Sequence, residues 1–357
     1  MHAKKHLQWL EEKGLLERTK KNSHIFKKVL KDCLDVQEDE RILIITDHGY
    51  ENKWLAPFIS GGYYLAAREM GLDATVIVQD PKIKGDKADE NTVIALEELG
   101  MNNVIILSLS GKLGSIKRLS KSFRNFIRES HHRFLSASNL GRLKKDSYQV
   151  VLDTIDVDYK KLQKDGEKIK KKLDKGKEIR IKTDAGTDLR VDISKYKAVL
   201  NTGNYKMSGK GGNVPAGEVY IPPTWKRVEG EIVVDGSSAY RKGTQLIKNP
   251  FTIIIRKGEI VEIQGGEEAE KLNETLDWAT KKAKYPWGIR RIGEIGIGIN
   301  PNARVVGSTN IDEKVKGTAH VGIGSNYWFG GTIYAIIHLD QVFKDPKIYV
   351  DGKLIEV

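Results

Sequence analysis

From Glu294 to Asp340 the chain carries three stretches in which aliphatic residues recur at every second position, the period of a strand with one face against a core. In GEIGIGINP, Ile295, Ile297 and Ile299 share a face, and Glu294, Gly296 and Gly298 take the other. In TAHVGIG, Ala319, Val321 and Ile323 oppose His320, Gly322 and Gly324. In TIYAIIHLD, Ile333, Ala335, Ile337 and Leu339 form the apolar face, with His338 and Asp340 together on the opposite one. A single strand histidine is ordinarily a structural group satisfied by a hydrogen bond. Three successive strands that each turn a carboxylate or imidazole away from the aliphatic face, two of them clearing space with glycine, point instead to a divalent metal site. Imidazole and carboxylate donors suit zinc, manganese, cobalt or iron.

A chain of 357 residues is long enough for two domains, each with its own core. Hydrophobic residues make up 39% and aromatic residues 8%, a balance that fits a soluble globular protein. The longest apolar runs, such as ILII and FTIII, fall far short of the roughly 20 residues of a membrane span, so no membrane partner is expected. The N-terminal MHAKKHLQWLEEKG is charged and helical in pattern, without the apolar centre of a signal segment, and a cytoplasmic location is expected. One cysteine, Cys33, excludes an intramolecular disulfide and a cysteine-rich zinc module. The net charge of +12 combines 60 basic with 48 acidic residues, a dense mixture that resembles a thermophile's composition.

In the first half, apolar runs alternate with helical patterns. Amphipathic helices are expected around 4–17 and 24–34, followed by a strand in ERILIITD and a helix in LAPFISGGYYLAAREMGL. A strand in DATVIVQD, a helix in NTVIALEELG and a strand in NNVIILSLS continue the series. Strands apolar on both faces that alternate with helices predict an α/β domain with a mainly parallel sheet over residues 1–156. No GxGxxG follows the first strand, where Asp47, His48 and Gly49 stand instead, and no nucleotide cofactor is expected. Between Lys112 and Lys145 there are ten Lys or Arg residues and one acid, Glu129, with Phe123, Phe126 and Phe134 interleaved. This stretch reads first as a solvated basic face with its phenylalanines turned to the core and only second as a nucleic-acid surface. The adjacent His131 and His132 cannot share a face of a regular element and are a weak metal signal.

The charged helix YKKLQKDGEKIKKKLDKGKEI marks a domain junction, and residues 157–357 become β-rich. IRIKTDAGTDLRVDI, TIIIRKGEIVEIQGG and IYVDGKLIEV each read as two strands about a glycine-containing turn. One helix interrupts, EEAEKLNETLDWATKKAK, with Leu272, Leu276 and Ala279 at helical spacing. The second domain is therefore expected to be α+β, built on an antiparallel sheet, and to hold every candidate ligand. GNVPAGEVYIPP adds Glu218, bracketed by Pro215 and the Pro222–Pro223 pair, which restrict the backbone on either side of it.

The ordered set GNVPAGEVYIPP, RRIGEIGIGINP, DEKVKGTAHVGIGSNYWFGG and IIHLD resembles the thermophilic-type metalloaminopeptidases typified by aminopeptidase T, peptidase family M29. The resemblance covers the C-terminal half well; in the N-terminal half it extends to length and α/β alternation. It implies metal ligands at Glu218, Glu294, His320, His338 and Asp340, a further acidic ligand at Glu313, and an active-site tyrosine at Tyr327. It also implies a pair of divalent ions (zinc, cobalt or manganese), a peptide substrate and a homodimer joined through the second domain.

The residues support such chemistry on physical grounds. Two ions about 3.5–4 Å apart can share a water, lower its pKa and clamp a carbonyl. Several carboxylates would be needed to balance them, and Glu218, Glu294, Glu313 and Asp340 supply these. Glu294 is then the preferred general base, and Tyr327 a donor to a developing oxyanion. A hydrolase of this kind, a metal-dependent aminopeptidase, is the expected function. The scaffold also looks like that of 2,5-dihydroxypyridine dioxygenase, a mononuclear iron enzyme. His320, His338 and Asp340 alone would satisfy the two-histidine, one-carboxylate set of such oxygenases.

Overall fold

The computed structural model describes residues 2–143 and 147–357. Two compact units are present, Met1–Tyr159 with Gly203–Pro215, and Lys160–Thr202 with Ala216–Val357.

The first unit holds a five-stranded parallel sheet in the order Asp73–Gln79, Arg41–Asp47, Val104–Ser108, Arg133–Ala137 and Gly211–Asn213. Its central strands are β-branched on both faces, and Ile42, Ile44, Ile45, Val104, Ile105 and Ile106 are all buried. Such strands need helices on both sides. The helix Leu55–Glu69 is apolar almost all round because it is itself enclosed. Gly62 makes that packing possible, since a Cβ there would lie 2.2 Å from the Phe26 ring.

The N-terminal helices differ from the expected ranges. The first, His2–Glu12, stops at Gly14, whose φ of 67° lets the Leu15 N–H close back on the Leu10 carbonyl at 2.8 Å. Two further helical segments, Leu16–Lys21 and Ser23–Val29, follow it, the latter running into a wider turn, Leu30–Leu34.

The basic run contains a strand, Arg133–Ala137, that the sequence pattern does not announce. Arg133 is buried and paired with Glu40, while Phe126 joins the core and Phe123 and Phe134 meet edge to face at 5.4 Å. Lys144 and Lys145 at the end of this run lie outside the described residues. His132 accepts the Asn103 N–H, and burial lowers its pKa to about 4. The Asp47 carboxylate accepts the N–H groups of Gly49 and Ser110 at 2.9 and 2.7 Å and so joins two loops. Among the described residues no helix is long and apolar enough to cross a membrane.

The second unit contains two seven-stranded antiparallel sheets and the helix Glu267–Lys282, so the chain is α/β in its N-terminal part and β-rich α+β beyond it. The hairpins Glu178–Lys182 with Asp188–Asp192, Phe251–Arg256 with Glu259–Gln264, and Lys347–Val350 with Lys353–Leu354 lie in one sheet. The other runs Gly243–Leu246, Ser237–Tyr240, His338–Lys344, Thr318–Gly324, Ile292–Gly298, Glu218–Ile221 and Val199–Asn201.

One strand is displaced from its expected place. The aliphatic alternation over 333–339 predicts a strand there, yet pairing begins only at His338. Asn326 holds the preceding residues in a loop: its side-chain oxygen accepts the Ile333 N–H at 2.8 Å and its own N–H reaches the Ile333 carbonyl at 3.0 Å.

Ile295 lies on the apolar side of this sheet and is 1% exposed. Ile295→Ala removes a buried aliphatic group from a central strand and should destabilise the protein by about 2–5 kcal/mol. The shift of the urea unfolding midpoint measures it; a change below about 0.5 kcal/mol, typical of surface sites, would contradict this packing.

Candidate metal centre

Strand register brings the polar residues together. Glu294 stands opposite Gly322, which stands opposite Asp340; Gly296 faces His320, Gly324 faces His338, and Gly298 faces Glu218. Each of these large polar side chains therefore has a glycine as its cross-strand neighbour, and the space is used. A Cβ on Gly296 would sit 2.1 Å from the His320 ring, and one on Gly322 would sit 2.7 Å from the His338 ring and 2.8 Å from Glu294 Cβ.

Two groups of donor atoms result, each within 4.8 Å: Glu294, His320 and Asp340, and Glu218, Glu313 and His320. His320 Nε2 lies 3.2 Å from Glu294 Oε1 and 3.7 Å from Glu218 Oε2. His338 Nε2 lies 3.1 Å from Asp340 Oδ1 and 3.5 Å from Glu294 Oε2. His338 Nδ1 donates to the Ser325 carbonyl at 2.8 Å, which fixes the ring and leaves Nε2 facing the carboxylates. This is the usual outer-shell support of a metal-binding imidazole. Glu313 comes from the turn after the short helix Thr309–Asp312, and the next residue, Lys314, contacts both Glu313 and Glu218 with its ammonium.

The electrostatics follow from burial. Desolvation pushes Glu294 up, and desolvation together with the nearby Glu218 lifts Glu313 to about 8. Burial alone would lower both histidines, but the carboxylates outweigh it, raising His320 to about 9 through Glu294 and Asp340 and His338 to about 10 through Asp340 and Glu294. Burial would raise Asp340, yet His338 and His320 hold it down at about 2. Without a metal, then, the imidazoles retain protons as counter-charge. Glu218 Oε2 and His320 Nδ1 are buried without a hydrogen-bond partner, and Asp340 Oδ1 is buried with the His338 imidazole beside it at 3.1 Å. Buried carboxylate oxygens beside two imidazoles fit a divalent cation held by mixed N and O donors.

Of the residues expected at the site, Glu218, Glu294, Glu313, His320, His338 and Asp340 converge. Tyr327, the expected active-site tyrosine, is exposed, with its ring 6.3 Å from that of Tyr334. The next two residues contact the site: Trp328 meets the His338 ring edge to face at 4.7 Å and Phe329 lies 6.3 Å from it. Trp328, Phe329 and Lys314 were not among the expected site residues. The string NYWFGG is a signal for the first two; a lysine inside DEKVKG reads as surface charge, and only its burial reveals it.

Two outcomes follow. Gly296→Ala forces the His320 ring aside and should weaken metal binding by about 10–100-fold, as loss of ligand orientation does, with the circular dichroism spectrum unchanged. Because both imidazoles titrate upward, a metal must displace their protons, so affinity should rise with pH up to about 9–10 and binding near neutrality should release close to two protons per ion held by both rings. Calorimetry in buffers of different ionisation enthalpy measures this release; affinity that does not change with pH would remove the histidines from the ligand set.

A family model described as NicX: 2,5-dihydroxypyridine 5,6-dioxygenase matches residues 21–356. The chain is 26% identical over 172 residues to the 2,5-dihydroxypyridine 5,6-dioxygenase of Pseudomonas putida, covering 46% of this chain and 48% of that protein, about half the relative's length. The solved structure of 2,5-dihydroxypyridine dioxygenase from Pseudomonas putida KT2440 matches with a TM-score of 0.73 at 18% identity, over 95% of this chain and 96% of that one. Wild-type AmpT from Thermus thermophilus matches with a TM-score of 0.62 at 16% identity, over 96% and 100%. At such identities these two structures establish a shared fold and nothing more. The family match overturns the resemblance to family M29. The aminopeptidase and protease activity, the peptide substrate and the homodimer rested on that resemblance and fall with it. The physical reason is that both readings call for the same donor types on the same sheet face, so the motifs carry the scaffold and not the reaction. The match extends over nearly the whole length, and the chain belongs to the NicX, 2,5-dihydroxypyridine 5,6-dioxygenase, family.

Proposed function

We propose that this protein is a metal-dependent dioxygenase acting on a small hydroxylated aromatic ring, with Glu294, His320, His338 and Asp340 gathered about a ferrous ion. The observation that carries the reading is the convergence of two imidazole Nε2 atoms on buried carboxylate oxygens, His320 at 3.2 Å from Glu294 and His338 at 3.1 Å from Asp340 and 3.5 Å from Glu294. Within this set, His320, His338 and Asp340 are the two histidines and one carboxylate that leave coordination positions open for reactants. The family match and the named activity of the Pseudomonas putida relative support the same class.

When bound, ferrous iron supplies the redox chemistry through which dioxygen reacts with an electron-rich ring. The chain's own residues do the rest. His338, tethered through Nδ1 to Ser325, keeps one donor atom fixed. Glu294 lies between the two imidazoles, and its burial raises its proton affinity, which suits it to accept the proton of a ring hydroxyl. Trp328, half exposed beside His338, offers a flat apolar surface at the distance of a stacked or edge-on ring, with Phe329 and Tyr220 packed behind it at 5.2 and 5.1 Å along the series.

The test is oxygen uptake by protein loaded anaerobically with Fe²⁺ and given a panel of dihydroxylated pyridines and benzenes. Uptake should require both iron and ring. Asp340→Asn and His338→Ala should abolish it and weaken iron binding by about a hundredfold or more. Trp328→Ala should keep its iron and raise KM by roughly 2–10-fold with little change in kcat. Full iron loading with no oxygen consumed on any ring would sink the proposal.

A further inference from the structure

The ligand face carries more negative charge than one divalent ion balances, and it already contains a cation of its own. Lys314 is completely buried, a rare state for lysine, and its ammonium contacts Glu218 and Glu313 together. The backbone that delivers it is fixed. The Lys314 N–H donates to the Ile311 carbonyl at 2.9 Å, and its carbonyl accepts the Asn300 N–H at 2.7 Å. The close passage of residues 314 and 315 against the strand depends on Gly298, where a Cβ would lie 2.1 Å from the Val315 carbonyl oxygen. Asn201 donates to the same Glu218 oxygen at 3.0 Å, so this carboxylate is held toward the lysine.

Glu218, Glu313 and His320 are also the second of the two donor groups capable of holding a metal. The ammonium already takes one oxygen of each of the two carboxylates, and a divalent cation on the same pair would lie close beside it: the two repel, and the buried setting screens that repulsion poorly. We infer that Lys314 is a built-in counter-ion that occupies the Glu218–Glu313 pair and thereby restricts this centre to a single metal ion, held by Glu294, His320, His338 and Asp340. Lys314 thus acts as a specificity-determining residue through the carboxylates it binds, without touching the reacting atoms. The inference rests on the metal-dependent reading above and deepens it from a class of chemistry to a metal count.

Metal stoichiometry tests it independently of turnover. Chelator-stripped protein is saturated with Mn²⁺, and bound manganese is counted by elemental analysis and examined by electron paramagnetic resonance. The wild type should hold one ion per chain with an uncoupled spectrum. Lys314→Met frees the Glu218–Glu313 pair and should hold two, with the spectral signature of coupled ions; Glu313→Gln added to Lys314→Met should return the count to one. Two ions in the wild type, or one in a folded Lys314→Met, would overturn the inference. Should Lys314→Met and Lys314→Gln both fail to fold, the wild-type count decides by itself. No bound ion in the wild type would overturn the metal-dependent reading itself, an outcome distinct from a count of two.

Discussion

Four carboxylates gathered at one buried sheet face, three from its strands and Glu313 from an adjoining turn, are the constraint on which this structure depends. A buried carboxylate without a partner is among the most unfavourable groups a protein can contain, and Glu218, Glu294, Glu313 and Asp340 all lie within one small region. The chain answers with positive charge and donors drawn from separate elements. Lys314 contacts two of the carboxylates, Asn201 supports one of these, and the two imidazoles take up protons. Even so, a buried carboxylate oxygen of Glu218 remains without a hydrogen bond. A buried anionic oxygen in this state fits a further cation, and the surrounding residues form two groups capable of holding one.

The sheet turns that charge problem into fixed geometry. His338–Lys344, Thr318–Gly324 and Ile292–Gly298 are interior strands, paired on both sides, so the positions of Asp340, His320 and Glu294 are set by ladder register and not by loops. The aromatic turn beside the site is held differently. Asn326 donates to the Gly293 carbonyl at 2.9 Å while accepting the Ile333 N–H, which ties the residues carrying Trp328 to the same strand that presents Glu294. Gly331 permits the crossing, since a Cβ there would lie 2.1 Å from the Asn326 side chain.

Much of this was legible in the chain because it depends on period and neighbour identity. A two-residue repeat with glycine between isoleucines announces a strand with one cleared face, and Glu294, Gly296, His320 and Gly322 behave accordingly. The parallel sheet of the first unit follows from strands apolar on both faces. Features set by distant contacts were hidden. Arg133–Ala137 is a strand inside a basic run because Glu40 neutralises Arg133, and Gly211–Asn213 adds to the first sheet from far along the chain. The strand at His338 begins late because Asn326 claims Ile333. In that case an alternating pattern was outweighed by two hydrogen bonds at 2.8 and 3.0 Å.

The reaction was the least legible part, for a reason that lies in coordination chemistry. Glutamate, aspartate and histidine in this order suit a hydrolytic pair of ions as well as a single redox ion, because donor type selects a class of metal and not a number of them. The expectation of two ions came with the resemblance to family M29; the structure offers two donor groups, Glu294, His320 and Asp340, and Glu218, Glu313 and His320, whose carboxylates are not equally available. Availability is a three-dimensional property: Glu218 and Glu313 already face an ammonium, and the carboxylate oxygen nearest His338 does not. The lysine's single charge balances one of those two acids, and burial with Glu218 nearby lifts Glu313 to about 8, where it keeps its proton near neutrality, so the charge left to balance falls on Glu294 and Asp340, the pair that a single divalent ion between His320 and His338 would neutralise.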